Sequence, residues 1–257
     1  GTNAIKSKIF KTTPTSIEFI EGMRSPIRLG SEVFNEGKLS QEKLDQVIST
    51  IKSYESIFQK NKIDRYEIVA TSAFRDTSNS EDARRYVETA INHPLRVISG
   101  LEEAQLIRFH PKSNTGKNKI FVDLGGGSTE FFLRDSKGIE IRSFQLGAVR
   151  NMLSKDKKEE WIRLEKWLET IKPRKKLIGI GGNIRSFLQA HDKKELSVKE
   201  LNKKIKEFSR LSTQEKIFKY EFSPDRADVI DHALHIFKFI SEHLMVETIT
   251  STRWGVS

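Results

Sequence analysis

The sequence predicts an α/β fold built from two related domains, and three observations lead to that prediction. Short apolar runs that end in turn residues alternate with longer segments whose apolar side chains recur every three or four residues. A glycine turn followed by two strands occurs twice, once after Gly1 and once around Gly125. The length of 257 residues suits one large domain or two of ordinary size.

The first half of the chain alternates between predicted strands and helices. Strands are predicted at residues 5–10, 15–20, 66–71 and 95–98, and helices from Ser40, from Ser80 and from Leu101. Residues 25–30 are interpreted as a loop. Such alternation is typical of an α/β domain with a largely parallel sheet. The polar, breaker-rich stretch 110–118 is the predicted domain boundary.

The second half is predicted to begin with three strands, at residues 120–122, 131–133 and 139–144. An amphipathic helix that carries Trp161 follows, and the strand 177–180 then leads into a glycine turn that opens another helix. The rest is predicted to be helical up to a last strand at residues 246–251. Capping boxes begin at Ser197 and Ser212.

The composition limits the classes of function and partner. Lys and Arg outnumber Asp and Glu by 45 to 35, and the net charge of +10 favours polyanionic partners such as nucleic acid, anionic membrane or phosphate-rich molecules. The chain has no cysteine, which excludes disulfides and thiolate chemistry. No apolar run is as long as a membrane span and no signal peptide opens the sequence, so we expect a cytoplasmic protein without a membrane partner.

The most informative stretch is the one between Phe121 and Glu130. An apolar run ends in Asp123, three glycines follow at residues 125–127, and the acid Glu130 precedes a second apolar run. Consecutive glycines let main-chain N–H groups converge on a phosphate, and flanking carboxylates can hold the Mg²⁺ that accompanies phosphates. The alternative interpretation of the same residues is a plain β-hairpin with a glycine bulge.

Other residues have both a functional and a structural interpretation. Arg75 follows a strand and could contact a phosphate or pair with Asp76. The acids Glu102 and Glu103 begin a helix, where negative charge commonly compensates the helix dipole. Gly181 and Gly182 open a helix whose N-terminus suits a phosphate.

Taken together, the motifs resemble the exopolyphosphatase/guanosine pentaphosphate phosphohydrolase (Ppx/GppA) family, in its short two-domain form. The resemblance extends over nearly the whole chain, and its matching segments keep their order: residues 1–3, 27–30, 70–75, 97–104, 122–130, 146–150, 180–185 and 225–230. It implies two ribonuclease-H-like domains of the actin/sugar-kinase superfold, with an active site in the cleft between them. The expected domains are 1–118 and 119–257, with the last helix a candidate for packing back on the first domain.

The resemblance also implies an activity and roles for individual residues. The expected reaction is hydrolysis of terminal phosphoanhydride bonds of inorganic polyphosphate or pppGpp with Mg²⁺ or Mn²⁺. Glu103 matches the catalytic base, Asp123 and Glu130 match metal ligands, and Glu130 is also a candidate second catalytic carboxylate. The expected phosphate-binding residues are Gly1, Thr2, Asn3, Arg75, Gly125, Gly126, Gly127, Ser128, Thr129, Gly181 and Gly182.

Some residues depart from the family pattern and keep an alternative open. Ala4 stands where the family has a hydroxyl, and the family places a strand and an aspartate before Gly1. The alternative is therefore a catalytically weak sensor that binds polyphosphate or guanosine penta- or tetraphosphate. An ATP-dependent enzyme of the same superfold is a further alternative. We expect no specific nucleic-acid partner, because the sequence has no base-reading helix or aromatic platform. A homodimer is the candidate assembly.

Overall fold

The computed structural model describes residues 1–115, 118–136, 138–252 and 254, and the chain divides into two compact units. The first unit is Gly1–Ser99 and the second begins at Gly100. The predicted boundary after residue 118 is therefore too late. The helix that begins at Gly100 packs on strands of the second unit, so Glu103 belongs to that unit and not to the first.

The first unit contains two small sheets in the described residues. Strands β1 and β2 form an antiparallel hairpin with a bulge next to Ile9, and β3 and β4 pair in parallel. The elements are β1 (Ile5–Thr12), β2 (Ile17–Ser25), α1 (Leu29–Glu36), α2 (Gln41–Lys60), β3 (Ile68–Ala70), α3 (Ser72–Arg75), α4 (Ser80–Ile91) and β4 (Leu95–Val97). The predicted strands and the helices α2 and α4 are confirmed. Helix α1 was not predicted, and it begins inside the stretch 25–30 that was interpreted as a loop.

Helix α2 shows why two of the helices of this unit could be predicted from the sequence. The Ser40 hydroxyl accepts a hydrogen bond from the Lys43 N–H at 3.2 Å, which satisfies one of the free donors at the helix start. Leu44, Val47 and Ile51 repeat at helical spacing and are buried. The apolar face packs on α4, and the cap sets where the helix begins.

The second unit is built on one six-stranded sheet in the order β7-β6-β5-β8-β10-β9. Strands β5, β6 and β7 are antiparallel neighbours, β8 and β10 continue in parallel with β5, and β9 pairs antiparallel with β10. The elements are α5 (Gly100–Leu106), a 3₁₀ turn (Ile107–Phe109), β5 (Lys119–Leu124), β6 (Thr129–Asp135), β7 (Gly138–Phe144), α6 (Ala148–Met152), α7 (Lys158–Glu169), β8 (Lys176–Ile180), α8 (Gly182–Ala190), β9 (Glu195–Ser197), α9 (Val198–Phe208), α10 (Thr213–Tyr220), α11 (Pro224–Ala227), α12 (Ile230–His243) and β10 (Thr248–Thr252).

The first five strands of that order are those of a ribonuclease-H-like domain, so the α/β fold class expected from the sequence is confirmed. β9 lies in a stretch that was predicted to be helical, and with only three residues it has no strand pattern of its own. The capping boxes at Ser197 and Ser212 are both formed. Helix α12 packs on α6, α8 and α9 within the second unit. No helix in the described part of the chain is long and apolar enough to cross a membrane.

Candidate active site

Three strands of the second unit place polar side chains next to one another at the end of β5. Asp123 on β5 is paired in register with Glu130 on β6, and Glu130 is paired with Ser143 on β7. Directly paired residues of antiparallel strands project from the same face of the sheet. Asp123, Glu130 and Ser143 therefore form a row of polar side chains across one face, as the spacing around the three glycines suggested for the two acids.

Glu130 lies in the middle of this row and is 2% exposed. The Ser143 hydroxyl donates a hydrogen bond to Glu130 Oε1 at 2.9 Å. Burial raises the pKa of Glu130 well above its ordinary value, and the negative charges of Glu103 and Asp123 raise it further. Hydrogen bonds from Ser128 and Ser143 act in the opposite direction. Three carboxyl groups therefore converge here, and the buried one keeps its proton more readily than an ordinary glutamate.

Helix α5 brings Glu103 to this row because it begins at a glycine. A Cβ atom at Gly100 would overlap Ser143 Oγ and approach Glu130 Oε1 to 3.3 Å. Only a glycine lets the first turn of α5 lie so close to β6 and β7. Glu103, in that first turn, is half-buried and contributes to the charge that Glu130 experiences. The predicted base and the two predicted metal ligands are thus brought together within one unit.

The loop of residues 125–127 is held by its carbonyl groups. The N–H groups of Ala148 and Val149 donate to the carbonyl oxygens of Gly125 and Gly126 at 3.0 and 2.8 Å. Arg150 Nε donates to the carbonyl oxygen of Gly127 at 3.0 Å. The C=O and the next N–H of a trans peptide point in opposite directions. The N–H groups of Gly126, Gly127 and Ser128 therefore point away from the α6 groups that bind these carbonyls, and they are donors of the kind that binds a phosphate.

Gly147 and Arg150 belong to the matched segment 146–150, but no local pattern places them in the site. A Cβ atom at Gly147 would lie 2.5 Å from Gly126 C and from Gly127 N, so only glycine fits between α6 and the loop. Gly147 itself has φ −153°, an extended backbone angle that any residue adopts. The glycine requirement shown at Gly147 thus comes from close approach and not from backbone angles.

Thr129 has a structural role that the sequence did not predict, and its phosphate binding stays a prediction. Its side chain is fully buried, and its hydroxyl donates to the carbonyl oxygen of Leu146 at 2.6 Å. That bond ties the start of β6 to the segment before α6. The hydroxyl is therefore committed to the fold, and Ser128, whose side chain is hydrogen-bonded to Glu130, is the hydroxyl residue nearer to the carboxylates.

A second glycine turn follows β8, and it is contacted by an arginine from α11 that the sequence did not predict as a site residue. Gly181 has φ 109°, an angle that favours glycine, and a Cβ atom there would lie 3.8 Å from Asp123 Oδ1. A Cβ atom at Gly182 would overlap the guanidinium of Arg226, which is hydrogen-bonded to Asn183 Oδ1. Arg226 thus lies over the turn, on the short helix α11. The matched segment 225–230 was the only sequence signal that pointed to it.

The predicted phosphate residues of the first unit have partners within that unit. The hydroxyl groups of Thr2 and Ser72 are 2.6 Å apart, and the Asn3 carbonyl accepts a hydrogen bond from the Arg28 N–H at 3.0 Å. Arg75 pairs with Asp76 at 3.3 Å and donates to the Ile98 carbonyl at 3.1 Å. The ion pair named as the alternative for Arg75 is therefore formed. Phosphate binding by these residues and by Gly1 stays a prediction.

A metal ion at Asp123 and Glu130 also stays a prediction. Among the described residues, no group of three or more His, Cys, Asp or Glu side chains has the arrangement of a metal centre. Mg²⁺ does not need one, because it commonly takes one or two carboxylates and completes its shell with water and substrate phosphates. A cation would also offset the charge repulsion that raises the pKa of Glu130. The two carboxylates therefore fit such an ion.

Solved structures of an exopolyphosphatase and of a PPX-GPPA enzyme share this fold. An exopolyphosphatase from Cytophaga hutchinsonii superposes with a TM-score of 0.87 at 21% identity, covering 100% of this chain and 92% of that one. The PPX-GPPA enzyme from Aquifex aeolicus gives a TM-score of 0.75 at 22% identity, covering 99% and 93%. At these identities the likeness establishes the fold, which is that of Ppx/GppA proteins.

The sequence itself matches the Ppx/GppA phosphatase family over residues 8–257, and the chain belongs to that family. The resemblance first drawn from the motifs is thereby confirmed. A curated relative, the bifunctional 3-dehydroquinate synthase/phosphatase of Fusobacterium nucleatum, is 28% identical over 251 residues. The match covers 84% of this chain and 38% of that protein, so the chain spans little more than a third of the relative.

Proposed function

We propose that this protein hydrolyses the terminal phosphoanhydride bond of inorganic polyphosphate or of pppGpp. Membership of the Ppx/GppA phosphatase family supports the class of reaction. The observation that carries the proposal is the convergence of Glu103, Asp123 and Glu130 beside a loop whose main-chain donors point away from α6. Attack by water on a phosphoanhydride requires carboxylates next to hydrogen-bond donors that hold the phosphates, and both kinds of group are present here.

In this proposal Glu103 is the base. It orients a water molecule and accepts its proton as the water oxygen attacks the terminal phosphorus. The bond from that phosphorus to the bridging oxygen breaks, which releases orthophosphate and a substrate shortened by one phosphate. Glu130 suits this role less well, because a buried group with a raised pKa is poorly ionised without a cation.

The remaining groups hold the phosphates and spread their charge. The N–H groups of Gly126, Gly127 and Ser128 donate to phosphate oxygens, and Arg226 adds positive charge at the second glycine turn. Asp123 and Glu130 hold Mg²⁺ or Mn²⁺, which supplies further neutralisation of the phosphate charge. Arg150 does not contact the substrate in this scheme and acts through the loop that it holds.

The experiment compares phosphate release from long-chain polyphosphate and from pppGpp by wild type, Glu103→Gln and Glu102→Gln. Glutamine keeps the shape of glutamate and removes its basicity, so we expect Glu103→Gln to lower kcat by at least about a hundredfold. Glu102, its exposed neighbour on α5, is the matched control and should change kcat less than twofold. Equal rates for wild type and Glu103→Gln would rule out Glu103 as the base. The ratio of the two substrate rates in wild type identifies the substrate.

A second candidate is a sensor that binds these phosphates with little turnover. It is favoured by the first glycine turn, where Ala4 carries no side-chain donor and the Thr2 hydroxyl is bonded to Ser72. A dissociation constant in the micromolar range, together with no phosphate release in Mg²⁺ at neutral pH, would establish the sensor and exclude the hydrolase.

A further inference from the structure

His110 connects two parts of the second unit that are far apart in the sequence. It follows the 3₁₀ turn after α5, and it is 5% exposed. Its Nε2 atom lies 3.0 Å from the hydroxyl oxygen of Thr252, the last residue of β10. The ring also packs on Phe121 of β5, and it meets the Trp254 ring edge to face with centroids 5.4 Å apart. We call His110, Thr252 and Trp254 the latch.

The hydrogen bonds of the His110 ring require a neutral imidazole. The Lys112 N–H donates to Nδ1 at 3.0 Å, so Nδ1 carries no proton. A neutral imidazole has one N–H, which therefore lies on Nε2 and donates to the Thr252 hydroxyl oxygen. The Trp254 N–H donates to the same oxygen at 3.2 Å. One tautomer of His110 thus satisfies every hydrogen bond of the latch.

A positive charge on the ring would be unfavourable in this place. A proton on Nδ1 would face the Lys112 N–H, so two donors would meet where one hydrogen bond is formed now. The charged groups that face the ring are Lys112 on its own connection and Lys119 on β5, and both are positive. Thr252 and Trp254, which face it from the end of β10, carry no charge. Burial, and then these two charges, lower the pKa of His110 below its ordinary value of 6.5.

We propose that the latch is a pH-sensitive contact, closed while His110 is neutral and opened when the ring takes up a proton. The protonated ring must move away from the Lys112 N–H, which draws Nε2 away from Thr252. Rotation of the ring about its Cβ–Cγ bond cannot preserve the latch, because carbon atoms would then take the positions of both nitrogen atoms. Opening separates the connection between α5 and β5 from the end of β10. The device lies within the second unit and does not depend on the proposed hydrolysis.

NMR spectroscopy of wild type tests the protonation state directly. Long-range ¹H–¹⁵N spectra distinguish the two neutral tautomers of histidine, and the signal that is missing in His110→Gln identifies His110. We expect the Nε2–H tautomer at about pH 7.5, since Nδ1 accepts from the Lys112 N–H. The titration midpoint of the ring should lie below 6.5, in keeping with its lowered pKa.

Opening of the latch is measured by acrylamide quenching of Trp254. The chain has three tryptophans, so the Trp254 signal is the difference between wild type and Trp254→Phe. We expect its quenching constant to rise about twofold or more as the pH falls from about 7.5 to about 5, because a released side chain becomes accessible. The midpoint of this rise should equal the midpoint that NMR gives for His110.

Three variants assign the change to the latch. His110→Gln cannot take up a proton and should therefore remove the pH dependence of quenching. Thr252→Val keeps the branched shape and removes the hydroxyl, so quenching should already be high at about pH 7.5. The matched control is His235→Gln, which removes an exposed histidine whose ring lies 5.6 Å from that of Trp161. This control should leave the Trp254 signal and its midpoint unchanged.

Urea unfolding gives a second measure of the same contact. The stability contributed by neutral His110 is fully present above its ordinary pKa of 6.5 and is lost as the pH falls through the lower pKa of the folded state. The difference in urea midpoint between wild type and His110→Gln should therefore shrink as the pH falls from about 7.5 to about 5.

Three results would overturn the proposal. The first is the Nδ1–H tautomer of His110 at neutral pH. The second is a Trp254 quenching constant that stays the same while His110 titrates. The third is a pH dependence of that constant that persists in His110→Gln. The first two results need only wild type and Trp254→Phe, so they decide the matter even where His110→Gln does not fold.

Discussion

Replacing Arg150 by lysine tests whether the glycine loop must be held by its carbonyl groups. Arg150 is 8% exposed, and its Nε donates to the Gly127 carbonyl at 3.0 Å. Lysine keeps the positive charge but has no Nε–H in that place, so the buried carbonyl loses a charge-assisted hydrogen bond. Such a bond contributes about 1.5–3 kcal/mol, and the free energy of unfolding should fall by that amount.

The same loss should reduce activity, because the peptide that links Gly127 to Ser128 also carries the Ser128 N–H. If this peptide can rotate, the Ser128 N–H is no longer held in one direction to bind a phosphate oxygen. Removal of one such donor costs about a hundredfold in kcat. Partial loosening should therefore lower kcat for pppGpp or polyphosphate by about tenfold to a hundredfold, with a smaller change in KM. Arg142→Lys is the control, since that arginine is more exposed and donates to the carbonyl of its strand neighbour Ile141.

The assay is steady-state phosphate release at several substrate concentrations, together with urea unfolding of the same two variants. A merely structural role for Arg150 would lower stability and leave kcat of the folded enzyme unchanged. An unchanged kcat in Arg150→Lys, with the expected loss of stability, would therefore refute the argument that the carbonyl bonds orient the phosphate donors.

Three further predictions concern stability. The pKa of Glu130 is raised above its ordinary 4.5, so wild type is stabilised relative to Glu130→Gln below that pH and loses this advantage as pH rises through the folded-state pKa. Without divalent metal, Glu130→Gln should therefore be the more stable protein at pH 8 in urea unfolding, and a constant difference from pH 4 to 8 would contradict this. Gly147→Ala should cost about 1–3 kcal/mol and lower activity, because its Cβ would lie 2.5 Å from Gly126 backbone; a variant with wild-type melting and kcat would disprove the close approach. The Lys216 side chain is 3% exposed and is paired with Asp231, whose side chain is 34% exposed, so Asp231→Asn, which leaves a buried ammonium group without its counter-charge, should cost about 3 kcal/mol and Lys216→Met less, measured by urea unfolding; equal effects would argue against a buried charge.

Much of the fold could be predicted from the sequence because its signals are local. The Ser40 cap, the capping boxes at Ser197 and Ser212 and the apolar runs of β5 and β6 involve residues a few positions apart. The glycine run between Asp123 and Glu130 likewise predicted a loop between two strands with an acid on each side. Pairing of the two acids across the strands follows from the short turn that joins β5 to β6.

Only the tertiary structure decided which distant residues complete the site. The domain boundary moved to Gly100 because α5 packs on β6 and β7, and no local pattern records that contact. Arg150 reaches Gly127 across 23 positions and Arg226 reaches Asn183 across 43, so neither partnership leaves a mark in the nearby sequence. The Thr129 hydroxyl likewise donates to the carbonyl of Leu146, 17 positions away, and this contact leaves no local signal in the sequence. By itself the sequence determined which chemical groups are present, whereas long-range packing decided which of them converge beside the glycine loop and which hold the fold.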